Sequence, residues 1–319
     1  MATEIGSKPQ INDNFVSANK GKVNNMNKIK ISGFSDEIAS DFTTQLKTVK
    51  ELGMNYISLR AIDGHNISQF TVNTIQDQVI PKMEQWDIAV SSIGSPIGKI
   101  YIDDEVSFQQ QLIELEELCK IAKLLNCDYI RIFSFYIPKD KNFDNYKVQV
   151  VEKLQQFAEI AESHHVTLLH ENEKDIFGDI GRRCKTILDE VASDHFKAIF
   201  DFANFVQCGE DPQNCYDLLS HYVDYIHIKD AVYKDNVNVV CGTGDGQIAA
   251  ILKQFFNNGY CGFLTLEPHL VLFDSIKDLE IEHSTETIEN AAAQTGAEAY
   301  QIQYNALLEI LKELEEEHA

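Results

Sequence analysis

Glu171, Asp201, His227 and Glu267 each stand at or just past the end of a short apolar run, residues 166–169, 197–200, 223–226 and 263–266. Three carboxylates and an imidazole are the donor set of a divalent cation that takes oxygen and nitrogen ligands without any thiolate. The runs leading to them are aliphatic, β-branched or aromatic, as in strands buried on both faces of a parallel sheet. The four residues are separated by roughly one βα unit of chain each. One such residue at a strand end is ordinarily a cap or a satisfied polar group. Four in succession predict a metal centre.

Such a centre needs consecutive strands that end on one side, and the rest of the sequence supplies them. Strands are predicted over residues 30–33, 56–60, 88–92 and 129–133 in the first half, then over 166–171, 197–201, 223–227 and 263–267. Helical patterns alternate with them at 42–52, 105–125, 146–163, 183–191, 214–221 and 247–257. Residues 70–80 form a sparser helical pattern that Pro81 is expected to interrupt. Eight strands alternating with helices, and no glycine fingerprint after the first strand, predict an α/β protein of the (β/α)8 TIM barrel type. We read it as a single domain over residues 29–319, with a flexible polar leader at 1–28 and an extra C-terminal helix over 291–316. In a barrel, function gathers at the C-terminal ends of the strands, where all four residues lie.

Charge and cysteine content narrow the function. Fifty acidic against 27 basic residues give a net charge of −23, which repels phosphate backbones, so nucleic acid is not the expected partner. No apolar run approaches the ~20 residues that span a bilayer. The N-terminus lacks an apolar segment with a small-residue cleavage site, and the seven cysteines form no CxxC pair. A cytoplasmic chain with reduced, mostly buried thiols is expected.

At the four candidate ligands the chain resembles the xylose isomerase-like TIM barrels, which include sugar (phosphate) isomerases and epimerases. The resemblance rests on Leu168-Leu169-His170-Glu171-Asn172, Phe200-Asp201-Phe202-Ala203-Asn204, Ile226-His227-Ile228-Lys229-Asp230 and Leu266-Glu267-Pro268, with Gly33-Phe34-Ser35-Asp36-Glu37 and Ser95-Pro96-Ile97-Gly98-Lys99 earlier. It implies that Glu171, Asp201, His227 and Glu267 hold one Mn2+ or Mg2+, with Zn2+ or Co2+ as further options. It also implies that Glu171 and Glu267 exchange protons with a sugar or sugar phosphate. The expected activity is a divalent-metal-dependent isomerase or epimerase working by proton transfer through a metal-stabilised enediolate. Which glutamate is the base depends on the substrate's hand. Alternatives on the same scaffold are a dehydratase or lyase of a keto-sugar or keto-inositol, an endonuclease of the AP type with a zinc cluster, and a noncatalytic carbohydrate-binding barrel. The family's membership does not fix the substrate, and association into a homo-oligomer is a further expectation.

Around the core set, Lys229, Lys99, Arg60, Arg131, Asn204 and His269 are substrate-binding candidates. Lys229 follows His227 by two and shares its side of the strand. Arg131 lies inside an apolar run and must meet an inner carboxylate if it serves structure instead. Lys99 and Arg60 stand at strand or turn ends, where they reach anionic groups or remain ordinary surface cations. His269 is placed to orient substrate or to pair with a carboxylate. Asn204 occupies a position where some family members carry His. The Gly242-Thr243-Gly244-Asp245-Gly246 loop is either a phosphate cradle or a plain tight turn, and Asp245 favours the turn.

Overall fold

The computed structural model describes residues 28–272 and 293–317. Residues 1–27 of the predicted leader and residues 291–292 of the predicted C-terminal helix lie outside the described residues. Eight parallel strands form the barrel: β1 (Lys30–Gly33), β2 (Tyr56–Leu59), β3 (Ala89–Gly94), β4 (Tyr129–Ile132), β5 (Thr167–His170), β6 (Phe196–Asp201), β7 (Val223–Ile228) and β8 (Phe263–Leu266). They follow one another around the sheet in chain order from β2 to β8, and β1 pairs with β8. A single parallel bridge between Phe34 and Ser58 brings β1 against β2, so the barrel is nearly closed.

The main helices that follow the strands are α1 (Phe42–Glu51), α2 (Ile80–Trp86), α3 (Glu105–Leu124), α4 (Lys147–Ser163), α5 (Gly181–Val191), α6 (Pro212–Leu219), α7 (Ile248–Asn257) and, after β8, α8 (Gly296–Glu316). Side-chain caps start several of them. Asp41 accepts from Thr44 N–H at 2.7 Å and Asp104 from Ser107 N–H at 3.0 Å, each satisfying an amide that has no partner inside the helix. Their apolar faces pack on the outward sides of the strands in one large core that includes Leu46, Ile57, Leu115, Phe157, Leu168, Phe200, Phe255 and Leu264.

The expected break at Pro81 is not where the helix ends. Helical backbone runs from Val72 to Trp86, with one π turn at Ile75–Val79 immediately before α2. Pro81 then sits in the opening turn of α2, where a missing N–H and a fixed φ cost little. A short helix at Phe202–Gln207 was not predicted, because its six residues are too few to show a period.

Inside the barrel the side chains are layered, as the alternation of each strand requires. Lys30, Tyr56 and Phe263 meet near the N-terminal end. Above them, Leu169, Ile199 and Tyr225 form an apolar half-layer. The Tyr225 hydroxyl lies 2.8 Å from Ser91, 3.0 Å from Ser92 and 2.6 Å from Thr265. The pairing of β2 with β3 shifts register between Val90 and Ser92, which lets both serine hydroxyls reach this layer. The layer above it carries the charges.

All seven cysteines are free, five of them buried, with Cys261 exposed. Among the described residues no helix is long and apolar enough to cross a membrane.

Candidate metal centre

The four predicted ligands come together at the C-terminal ends of β5 to β8. Each is buried, and one donor atom from each lies within 4.8 Å of those of the other three. The backbone explains the convergence. Glu171 and Glu267 each sit one residue past their strand but continue its ladder, donating N–H to Ile132 O at 3.0 Å and Ile228 O at 3.2 Å. His227 pairs in register with Asp201 on one side and Thr265 on the other. The imidazole Nδ1 is 2.8 Å from Glu171 Oε1, 3.4 Å from Glu267 Oε2 and 3.8 Å from Asp201 Oδ2.

Asp201 is held from behind. Its Oδ1 accepts the Asn204 N–H at 2.8 Å and so caps the short helix Phe202–Gln207, which leaves Oδ2 for the site. Asn172 donates to the Asp201 carbonyl oxygen at 3.1 Å and accepts the Asp201 N–H at 3.2 Å. The Asn204 side-chain amide is spent on the Asn172 carbonyl oxygen at 2.7 Å. Thus Asn204 braces Asp201 and Asn172. The function of Asn172 was not foreseen from sequence, although a polar residue directly after a candidate ligand is the available signal.

Cations surround the cluster. Arg131 Nη1 is 3.2 Å from Glu171 Oε2 and 3.9 Å from Glu267 Oε1. Lys229 Nζ stands 3.2 Å from both Asp201 Oδ2 and Glu267 Oε2. Arg60 reaches Asp36, Glu37 and Glu267 at 2.8, 3.2 and 2.9 Å. Phe34 lies under both guanidinium groups, at 4.2 Å for Arg60 and 4.9 Å for Arg131, and meets the His227 ring edge-on. His269 takes a left-handed φ of 47°, which directs its N–H onto Glu37 Oε2 at 2.8 Å. Its ring Nε2 is 3.5 Å from Glu37 and 3.6 Å from Glu267. Sequence reading missed Asp36, Glu37 and Phe34 as partners of the arginines.

Lys99 is placed farther out, at the rim. Gly98 has φ +87° and passes so close to Phe133 that a Cβ there would lie 2.1 Å from the Phe133 carbonyl oxygen. That turn sets Lys99 over the Phe133 ring at 4.4 Å and against Glu173 at 3.1 Å.

Burial and charge together decide the ionisation. Burial opposes a charged Glu171, but His227 and Arg131 outweigh it and bring the carboxyl down to about 2. Burial likewise opposes a charged Glu267, and Lys229 with His227 holds it well below the usual carboxylate range. Asp201 rises to about 7 because burial and the two neighbouring glutamates exceed the pull of Lys229. Burial pushes Glu37 up to about 8. The cations thus favour the ionised form of both glutamates, whereas burial favours the protonated form of Asp201 and Glu37.

The residues fit a divalent cation. Oxygen ligands at about 2.0–2.6 Å from an ion stand at most some 5 Å apart, and the four donor atoms meet that limit. Glu171 Oε2, Asp201 Oδ2 and His227 Nε2 are buried without a hydrogen-bond partner. A carboxylate-rich donor set lacking thiolate suits Mg2+ or Mn2+, and its imidazole admits Zn2+. The Lys229 ammonium already stands on two of the four ligands, so an ion there shares those oxygens with it.

The model of the xylose isomerase-like TIM barrel family matches residues 46–301. The chain belongs to that family. Solved structures agree on the fold. A D-tagatose 3-epimerase-like protein superposes with a TM-score of 0.70 at 15% identity, covering 91% of this chain and 100% of that one. The IOLI protein with a bound zinc atom gives 0.68 at 14% identity, covering 89% and 98%. The probable 3-DHS dehydratase AsbF from Bacillus anthracis gives 0.66 at 15%, covering 88% and 98%. No curated protein matches the sequence significantly.

Proposed function

We propose that this family member is a divalent-metal-dependent isomerase or epimerase of small sugars, in which Glu171 and Glu267 form the proton-transfer pair. The observation that carries the reading is the convergence of these two ionised glutamates with Asp201 and His227 at one buried point of the barrel mouth. A cation held by the four residues supplies Lewis acidity toward the oxygens of a carbonyl substrate. The chain's own residues do the rest. One glutamate takes the proton from the carbon beside the carbonyl, and the other returns it. His227 and Arg131 keep Glu171 charged, Lys229 and His227 keep Glu267 charged, and Arg131 and Arg60 fix the direction of the two carboxylates. Proton return to the same carbon epimerises, and return to the neighbouring carbon isomerises.

A dehydratase is the second reading, favoured by one feature. The Lys229 ammonium, 3.2 Å from Glu267, can protonate a departing hydroxyl next to the base. Proton exchange in heavy water over a panel of ketoses and keto-cyclitols, with Mg2+ or Mn2+, separates the two. The proposal expects deuterium to enter one substrate, with conversion only to its isomer or epimer. Rapid loss of water transfers the assignment to the dehydratase, and no exchange with any member of the panel removes both.

A further inference from the structure

The barrel is stitched unevenly where it closes. β1 pairs with β8 over four residues in register, but it meets β2 through the single Phe34–Ser58 bridge. An ionic clamp spans the seam just past that bridge. Arg60 directly follows β2, and its side chain is 0% exposed. Its three guanidinium nitrogens go to three different residues. Nε meets Asp36 Oδ2 at 2.8 Å and Nη2 meets Glu37 Oε1 at 3.2 Å, both on the Ser35–Glu37 turn after β1. Nη1 meets Glu267 Oε1 at 2.9 Å, one residue past β8.

The turn and the fork are both packed in place. The Ser35 hydroxyl donates to Gln45 Oε1 of α1 at 2.9 Å, and α8 starts so close that a Cβ at Gly296 would fall 2.1 Å from the Glu37 carbonyl oxygen. Phe34 lies under the guanidinium at 4.2 Å. A Cβ at Gly94 on β3 would fall 2.7 Å from the Phe34 ring and 3.0 Å from Arg60 Cβ, so neither side chain has room to slide. A guanidinium is a rigid plane, and fixing Nε and Nη2 fixes the direction of Nη1. That third corner is the one on Glu267. Of the two turn residues Asp36 makes the shorter contact, and Glu37 spends its second oxygen on the His269 N–H. Glu171 is held differently, by Arg131 at 3.2 Å and His227 at 2.8 Å, both on barrel strands.

We propose that Asp36 is a positioning residue for Glu267 and acts through Arg60, so that the clamp closing the β1–β2 seam also aims one of the two proton-transfer glutamates. The inference rests on the function proposed above. It gives the turn after β1 a share in the chemistry of a site whose four candidate ligands all come from β5 to β8.

The test is a double-mutant cycle of Asp36→Asn and Arg60→Lys, on protein that circular dichroism shows to be folded. One reading is Mg2+ affinity by calorimetry, since Glu267 is a candidate ligand. The other is kcat and KM for heavy-water exchange with the best compound of the ketose and keto-cyclitol panel. Each single variant should weaken Mg2+ binding about 10-fold and lower kcat by at least as much, with KM within a few-fold. The double variant should be no worse than the poorer single one, because a lysine cannot pass the orientation on. Losses that multiply in the double variant show that Asp36 acts by its charge alone and overturn the proposal. A single variant with unchanged Mg2+ affinity and unchanged kcat overturns it as well. Asp36→Glu keeps the buried pair and replaces Asp36→Asn if that variant does not fold. Its longer arm should displace the fork and lower the same values, and unchanged values again overturn the proposal. If the unmodified protein exchanges no member of the panel, the proton-transfer reading fails, and the Mg2+ cycle alone decides the clamp.

Discussion

Two adjacent layers of the barrel interior are both polar and both buried, yet they are built on opposite rules. The polar part of the middle layer, beside Leu169 and Ile199, consists of neutral hydroxyls. Ser91 donates to the Ile57 carbonyl, Ser92 and Thr265 donate to Tyr225, and the Tyr225 proton is left for Ser91. Ser32 and Ser58 complete the chain at 2.5 and 2.7 Å from Ser91 and Ser92. None of these atoms is without a hydrogen-bond partner. The layer above holds an excess of acids over bases: Glu171 Oε2 and Asp201 Oδ2 face Arg131 and Lys229 as ion pairs without a hydrogen bond, and buried His227 Nε2 has no hydrogen-bond partner. A satisfied neutral network stabilises one structure, whereas surplus buried charge held by ion pairs is an arrangement suited to binding and chemistry. The two layers should therefore separate stability from activity.

The sharpest break is expected at the glutamates. Glu171→Gln and Glu267→Gln keep size and most hydrogen bonding but remove the base, so heavy-water exchange should fall about 10²–10⁴-fold. Circular dichroism should show the fold retained. If both variants exchange at the original rate, the upper layer is not a proton-transfer site.

Next in size is the loss of a ligand. Titration with Mg2+, Mn2+ or Zn2+ should raise the melting temperature and saturate at one ion per chain, because only the folded state gathers the four donors. Asp201→Asn should abolish that rise. A stoichiometry of several zinc ions would instead favour a multinuclear site.

A smaller loss is expected one contact farther out. Asn172 holds both backbone groups of Asp201, and Asn172→Ala should weaken metal binding about 10–100-fold by calorimetry. Unchanged affinity would mean that the cap on the short helix orients Asp201 without help.

How much of this contrast could be read from the sequence differs between the layers. The strands and the four ligands were legible because apolar runs repeat at βα intervals and end in charged residues of metal-binding type. Arg131 was legible as a buried cation in need of an acid, since an arginine within Tyr129–Ile132 has nowhere exposed to go. Its partner was not, because Glu171 comes from a neighbouring strand and pairing across strands leaves no local pattern. Asp36 and Glu37 entered the sequence reading only as part of the family-like stretch after the first strand, and it is the folded barrel that sets them against Arg60. Asp230 stood in the sequence only as the residue after Lys229, and only the folded loop sets its carboxylate against the amides of Gly242, Gly244 and Gly246. The hydroxyl layer was invisible for a different reason. Serines in a strand carry no signal of what they bond, and the shift between Val90 and Ser92 that points two of them inward is not encoded by alternation.

That invisible layer supplies the smallest effect on activity and a measurable one on stability. Tyr225→Phe keeps the ring against Leu169 and Ile199 but removes the oxygen that accepts from Ser92 and Thr265 and donates to Ser91. Two buried donors then lose their acceptor, which should cost about 1–3 kcal/mol in chemical denaturation. Exchange per folded molecule should stay within a few-fold, because the Tyr225 oxygen bonds only to the hydroxyls of its own layer. Burial holds the Tyr225 phenol above its ordinary value, so the group stays neutral and the cost should be the same at pH 6 and pH 9. A large loss of exchange at unchanged stability would show that the two layers act as one unit, and the division between structure and chemistry drawn from their charge would fail.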